Sequence, residues 1–191
     1  MNNENRPAPS RPSSSVVRTV ARNRKGPDMM TLEQLHKMLG FDESFHGEFG
    51  ILSPHLRKIT KSWKMEIPMK IAKEEGAQDT MTVRDLNSIF DNVQGFLDSM
   101  YAGRFFEEFE CPLDGIALTL KTHGINPGWA TLAFSHAFDQ AQQQLYFDTR
   151  SVNQRVYPAA LRCLNKIMIL TVHILNRRDH ELNDVTPQRG T

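Results

Sequence analysis

Apolar positions recur along most of this chain at three- and four-residue intervals, and no stretch alternates as a strand would. The run "MTLEQLHKML" carries Leu32, Leu35, Met38 and Leu39 on one helical face, with Thr31 placed to cap its start and Gly40 to end it. Ser53-Pro54 reads as the opening of the next helix, where proline fits a first turn. From there Leu56, Ile59, Trp63 and Ile67 share a side, and Pro68 ends or kinks the element. The polar run "KIAKEEGAQDT" reads as a loop. Thr82, followed three residues later by Asp85, marks the start of a longer helix carrying Leu86, Ile89, Phe90, Val93, Phe96, Leu97 and Met100. "GRFFEEFE" reads as a short turn, with Cys111-Pro112 opening a helix that ends at Gly124. Asn126-Pro127 begins another, about five turns long, and the last and longest spans Ser151 to about Asn176. The pattern predicts an all-α domain of about six to eight helices.

Residues 1–28 break this pattern. They are rich in Pro and Ser, and residues 1–27 hold six Lys/Arg against one Glu, about +5. So few large apolar groups cannot offset the entropy of ordering, so a disordered basic tail is expected there. A second flexible tail is expected over residues 181–191. Across all 191 residues the charge nearly cancels, 23 basic against 22 acidic, which argues against a nucleic-acid partner. No uninterrupted apolar run approaches the length of a membrane span, and the N-terminus lacks the apolar core of a signal peptide. A cytoplasmic protein without membrane insertion is therefore expected. Two cysteines make no disulfide framework.

Candidate chemistry is sparse. His55, His123, His136, His173 and His180 show no metal-ligand spacing, and no metal site is expected. His173 reads as a core or interface histidine satisfied by one hydrogen bond. Cys111, next to Pro112 at a helix start, reads as a half-buried thiol whose reactivity stays open. "NRRDHE", Asn176 to Glu181, reads as the solvated end of the last helix. There is no nucleophile elbow, phosphate loop or paired catalytic carboxylate, so an enzyme is not expected.

The stretch "AGRFFEEFECPLDGIALTLKTHGINPGWATLAFSHAF", followed by a long helix with "AALRCLNKIMILTVHIL", resembles the bacterial sensor globins, the globin-coupled sensors and protoglobins. The matching residues are the corner Gly124, Ile125, Pro127 and Trp129 and the run around Leu164 to Leu170. The helix at residues 31–39 matches the extra helix that precedes the first globin helix in that family. The resemblance covers roughly residues 29–177 and implies a globin-like domain over 29–180. It also implies where haem chemistry would sit. The family's ligand His falls nine residues before the corner Trp, and here that position is Leu120. His123 lies three residues on, about 60° around the helix. The distal pair aligns with Trp63-Lys64. Trp63, Lys64, Leu120 and His123 are thus expected to line a remodelled, haem-free pocket that Phe90, Phe96 and Phe134 help to fill. A haem-binding gas or redox sensor with His123 as proximal ligand is the alternative.

The resemblance further implies a homodimer formed by the last two helices, as in the haem-free globin-like domains of bacterial stressosome proteins. Leu164, Met168 and Leu175, at spacings of four and seven, form the expected seam. The pattern leaves about fifteen residues after its last helix, too few for an output module, so an unidentified signalling protein is the expected partner.

Overall fold

The computed structural model describes residues 30–74, 77–150 and 156–184. These form eight helices: α1 (Leu32–Leu39), α2 (Glu43–Ile59), α3 (Trp63–Ala72), α4 (Ala77–Thr80), α5 (Val83–Tyr101), α6 (Glu107–Thr122), α7 (Gly128–Arg150) and α8 (Val156–Asp184). There is no strand among the described residues. The expected basic tail, residues 1–28, lies outside them, as do residues 185–191. Residues 181–184 are not a tail but the last turn of α8.

Three boundaries read correctly from local chemistry. The Thr31 hydroxyl accepts from Gln34 N–H while the Gln34 side chain accepts from Thr31 N–H, closing a capping box on α1. Thr82 and Asp85 do the same for α5. At the end of α6, Ile125 N–H reaches Leu120 O and Gly124 N–H reaches Lys121 O, which satisfies two terminal carbonyls. Gly124 has φ +70° there, a conformation that L side chains rarely adopt.

Prolines misplaced the other boundaries. Pro54, Pro68 and Pro112 all lie inside helices. Helix α2 begins eleven residues before Pro54, capped by Asp42, whose carboxylate accepts from Phe45 N–H. It runs through the proline because Phe45, Phe49, Leu52 and Leu56 make a continuous buried face. Helix α6 begins at Glu107, not at Cys111-Pro112. Pro112 lacks the N–H that Glu108 O would accept, and the Ser99 hydroxyl donates to that carbonyl instead, at 2.8 Å. The run expected as a loop after Pro68 carries the rest of α3 and the single turn α4. Helices α2 and α3 are separate: Thr60 ends α2 with its hydroxyl turned back to Leu56 O. Leu56, Ile59, Trp63 and Ile67 are nonetheless all buried, so the shared face was right although the helix breaks within it.

One hydrophobic core joins all eight helices. The tightest pairings are α5 with α6 and α7 with α8, and α8 also touches α6, α2 and α1. At the α5–α6 crossing, a Cβ on Gly115 would lie 2.5 Å from Asn92 Oδ1, and one on Gly95 would lie 3.3 Å from Pro112. Only glycine permits that approach while Asn92 keeps its bond to Ser88 O. Gly115→Ala is therefore expected to destabilise the domain by about 1–3 kcal/mol in urea denaturation. In an Asn92→Ala background the same change should cost much less, because the atoms it would displace are gone. Equal costs in both backgrounds would show that the crossing tolerates a methyl group.

Candidate functional site

The family resemblance directs attention to the inner face of α6 and the start of α3. Periodicity puts Leu113, Ile116, Ala117 and Leu120 on one stripe of α6, and all four are fully buried. Trp63, the first residue of α3, is 1 % exposed and meets the Phe138 ring edge-on at 4.7 Å. Phe96 of α5 contacts Phe109 of α6 at 4.9 Å and Phe134 of α7 at 5.0 Å. Trp63, Phe96 and Phe134 thus fill the interior as expected, whereas Phe90 is only half-buried.

The four expected pocket residues do not meet. Leu120 and Trp63 lie in the core, but Lys64 is exposed on the outer side of α3. His123 is the residue that ends α6, and its Nε2 lies 3.1 Å from Asp85 Oδ1 in the first turn of α5. The Asp85 carboxylate already accepts from the Thr82 hydroxyl and backbone N–H, and these bonds hold it below the usual carboxylate range, with His123 adding a smaller pull. The pair therefore ties the end of α6 to the capped start of α5.

These residues do not fit a haem. Leu120 offers no ligating atom, and the nearby imidazole is turned outward to a carboxylate. The close approach at Gly95 and Gly115 puts α5 directly against α6. A cleft of about 310 Å3 does lie beside the corner, lined by Lys121, Gly124, Ile125, Asn126, Pro127 and Asp179. None of the four expected pocket residues lines it.

The expected dimer seam also needs correction. Leu164 and Leu175 are fully buried in the domain's own core, and Met168 is partly buried against it. Leu164 and Leu175 therefore mark the inward face of α8 rather than a partner face, and Met168 lies at the edge of that face. The large apolar groups that α7 and α8 leave exposed are Leu132, Tyr146, Phe147 and Ile169. Met168 and Val172, both half-buried, lie beside Ile169, and half-buried Leu161 lies about two turns before it. Gln142–Asn165 and Thr131–Asn176 hydrogen bonds stitch the two helices along this side.

Sequence reasoning missed the role of the end of α8. Arg177 pairs with Glu110, and Arg178 pairs with Asp114 and Glu181. "NRRDHE" is thus a clamp from α8 onto α6, and the nearby acidic residues 107, 108, 110 and 114 were the available signal. Asp114 accepts two bonds from Arg178 and raises its already high pKa further. His173 makes one hydrogen bond, to Met30 O at 2.9 Å. Cys111 is exposed, whereas burial pushes the Cys163 thiol up to about 11, so it stays protonated at neutral pH. Among the described residues no group of three or more His, Cys, Asp or Glu is placed to hold a metal ion.

No protein-family model, curated protein or solved structure matches this chain.

Leu120 can be tested as a packed core residue. Leu120→Ala is expected to cost about 2–5 kcal/mol of unfolding free energy, since it deletes three buried carbons from a filled interior. A loss under about 1 kcal/mol would mean that the site is already loosely packed.

Proposed function

We propose that this chain is a haem-free, globin-like domain with no catalytic role, working in the cytoplasm as a homodimer that relays a signal to a separate output protein. The observation that carries the proposal is the set of large apolar groups that α7 and α8 leave exposed. Ile169 is 43 % exposed and Leu132 50 %, in positions where helices of a lone domain usually carry polar groups. The globin-like part rests on the resemblance: a preceding short helix, a Gly-Ile-Asn-Pro-Gly-Trp corner, and two long helices after it. The haem-free part is supported by Leu120 in the core and by the contact of α5 with α6.

The seam in this reading runs through Ile169, Met168, Leu161 and Val172 of α8 and Leu132 and Tyr146 of α7. Two-fold symmetry would set this surface against its own copy. Charged groups border this surface: Asp139 lies midway between Leu132 and Tyr146 on α7, and Lys166, three residues before Ile169, donates to Gly40 O, so pairing has to leave both at the rim of the seam.

Light scattering on the unmodified protein is expected to give twice the 21.9 kDa chain mass. Ile169→Asp buries a carboxylate against its symmetry copy and should yield a folded monomer with a nearly unchanged melting temperature. Leu164→Asp should instead unfold the chain, since that residue is in the core. A monodisperse monomer at tens of micromolar would remove the relay reading. Expression with haem supply is expected to give no Soret band, and a stoichiometric band abolished by His123→Ala would overturn the haem-free part.

A further inference from the structure

Helix α1 is attached to the body in an unusual way. Among the described helices its only extensive neighbour is α8. At one end His173 Nε2 lies 2.9 Å from Met30 O, and at the other Lys166 Nζ donates to Gly40 O at 3.1 Å. His173 and Lys166 are seven residues apart, two turns of α8, so the two contacts hold α1 like a strap along one flank of that helix. Between them α1 buries just two residues, Leu35 and His36.

His36 is the anomaly. It is 5 % exposed, and neither ring nitrogen has a hydrogen-bond partner. Its neighbours are the Phe106 ring at 4.2 Å and the Phe41 ring at 5.2 Å, both edge-on. A neutral imidazole is tolerated in such a site at some cost, whereas an imidazolium, with the Phe105 carbonyl alone to favour it, loses more to burial than it gains.

We propose that α1 is an acid-released strap: protonation of His36 expels it from between Phe41 and Phe106 and frees α1 from α8. The other groups on the packed elements do not rescue the charge. Helix α8 contributes Lys166 and His173, α2 and its cap contribute His46 and Asp42, and the turn before α6 and its first residue contribute Arg104 and Glu107. On α1 itself stand Glu33 and Lys37. None of them bonds His36. The Phe105 carbonyl favours the protonated ring, but burial outweighs it and lowers the pKa below 6.5.

The undocked state binds the proton more readily than the docked state, so docking is fully stable above about pH 6.5 and weakens as pH falls through that value. The strap's two end contacts do not share this sensitivity. Both are donations to backbone carbonyls, from Lys166 Nζ and from His173 Nε2, and neither depends on a neutral ring. The acid response is therefore specific to His36. Release uncovers Phe41, Phe106 and the flank of α8 that borders exposed Ile169.

The test is amide hydrogen exchange on the full-length protein at pH 7.5 and pH 5.0, corrected for intrinsic exchange and read against α5 as an internal reference. Residues 33–40 are expected to open more often at pH 5.0, by up to about 30-fold. That ceiling is the protonated-to-neutral ratio of an unhindered His at that pH. In His36→Phe, and in His36→Leu should the larger ring disturb the fold, the difference should vanish. It should persist in His173→Gln. Ring-proton NMR of His36 in the unmodified protein should show titration below pH 6.5. Unchanged protection of α1 at pH 5.0, a response that survives in both His36 variants, or titration of His36 at or above its ordinary value would each overturn the proposal.

Discussion

The crossing of α5 and α6 at Gly95 and Gly115 constrains everything built around it. Two helices can approach this closely only where one of them carries no side chain, and here both do. Once they touch, the inner stripe of α6 from Leu113 to Leu120 is committed to protein contacts. The carboxy-terminal end of α6 is then fixed by His123 and Asp85, and its first half by Arg177 and Arg178 of α8. Helix α6 is thereby held along its whole length. A ligand lodged on that stripe would have to part helices that packing, two ion pairs and a corner hydrogen bond hold together.

Helix α8 is the second organiser, and its composition has a double aspect. Tyr157–Glu181 is long and apolar enough by length and mean hydropathy, 1.3 over its best 18 residues, to cross a membrane. No single unbroken run in the sequence displays this, because polar residues interrupt it. Burial of 44 % of that window inside the domain accounts for much of the apolar content: Leu164, Ile167, Leu170, Ile174 and Leu175 serve α7, α6 and α2. Even Thr171, buried among them, is satisfied by donating to Ile167 O. What the core does not use is Ile169 and the half-buried groups beside it, and a partner surface is read from that remainder.

How much was legible in the sequence depended on whether the signal was local. Capping boxes at Thr31 and Thr82 and the turn at Gly124 involve residues within five positions of one another, and their chemistry could be read directly. Prolines misled because the rule that proline opens or breaks a helix assumes that the lost N–H has no substitute. Ser99, thirteen residues before Pro112, supplies one to Glu108, and no local pattern reveals it. The same limit applied to the site. Spacing placed Leu164 and Leu175 on a common stripe correctly, but one stripe of a helix touching four neighbours does not say which neighbour it faces. Lys64 and His123 were assigned to an interior by alignment with a family pattern, although their own character, a cation and a helix-ending His, pointed outward. His36 carried no sequence signal at all. It sits among apolar periodic positions, and its lack of partners becomes visible only when Phe41 and Phe106 close over it.

That histidine also explains why stability should be uneven across the domain. Phe106, His36, Phe41, Phe105, Phe109, Phe96 and Phe134 form an unbroken series of ring contacts, each within 5.5 Å, from the surface beside α1 to the centre of α7. Six of the seven rings are phenyl groups, whose edge-on and tilted contacts improve as water is excluded. The seventh is polar and unsatisfied, and the same exclusion of water penalises it. Helix α1 contributes little burial beyond that ring, while α5 and α6 contribute most of the core. A network is lost first at the contact with the least free energy, so local opening should begin at α1 and stop within the all-phenyl part of the series that starts at Phe41.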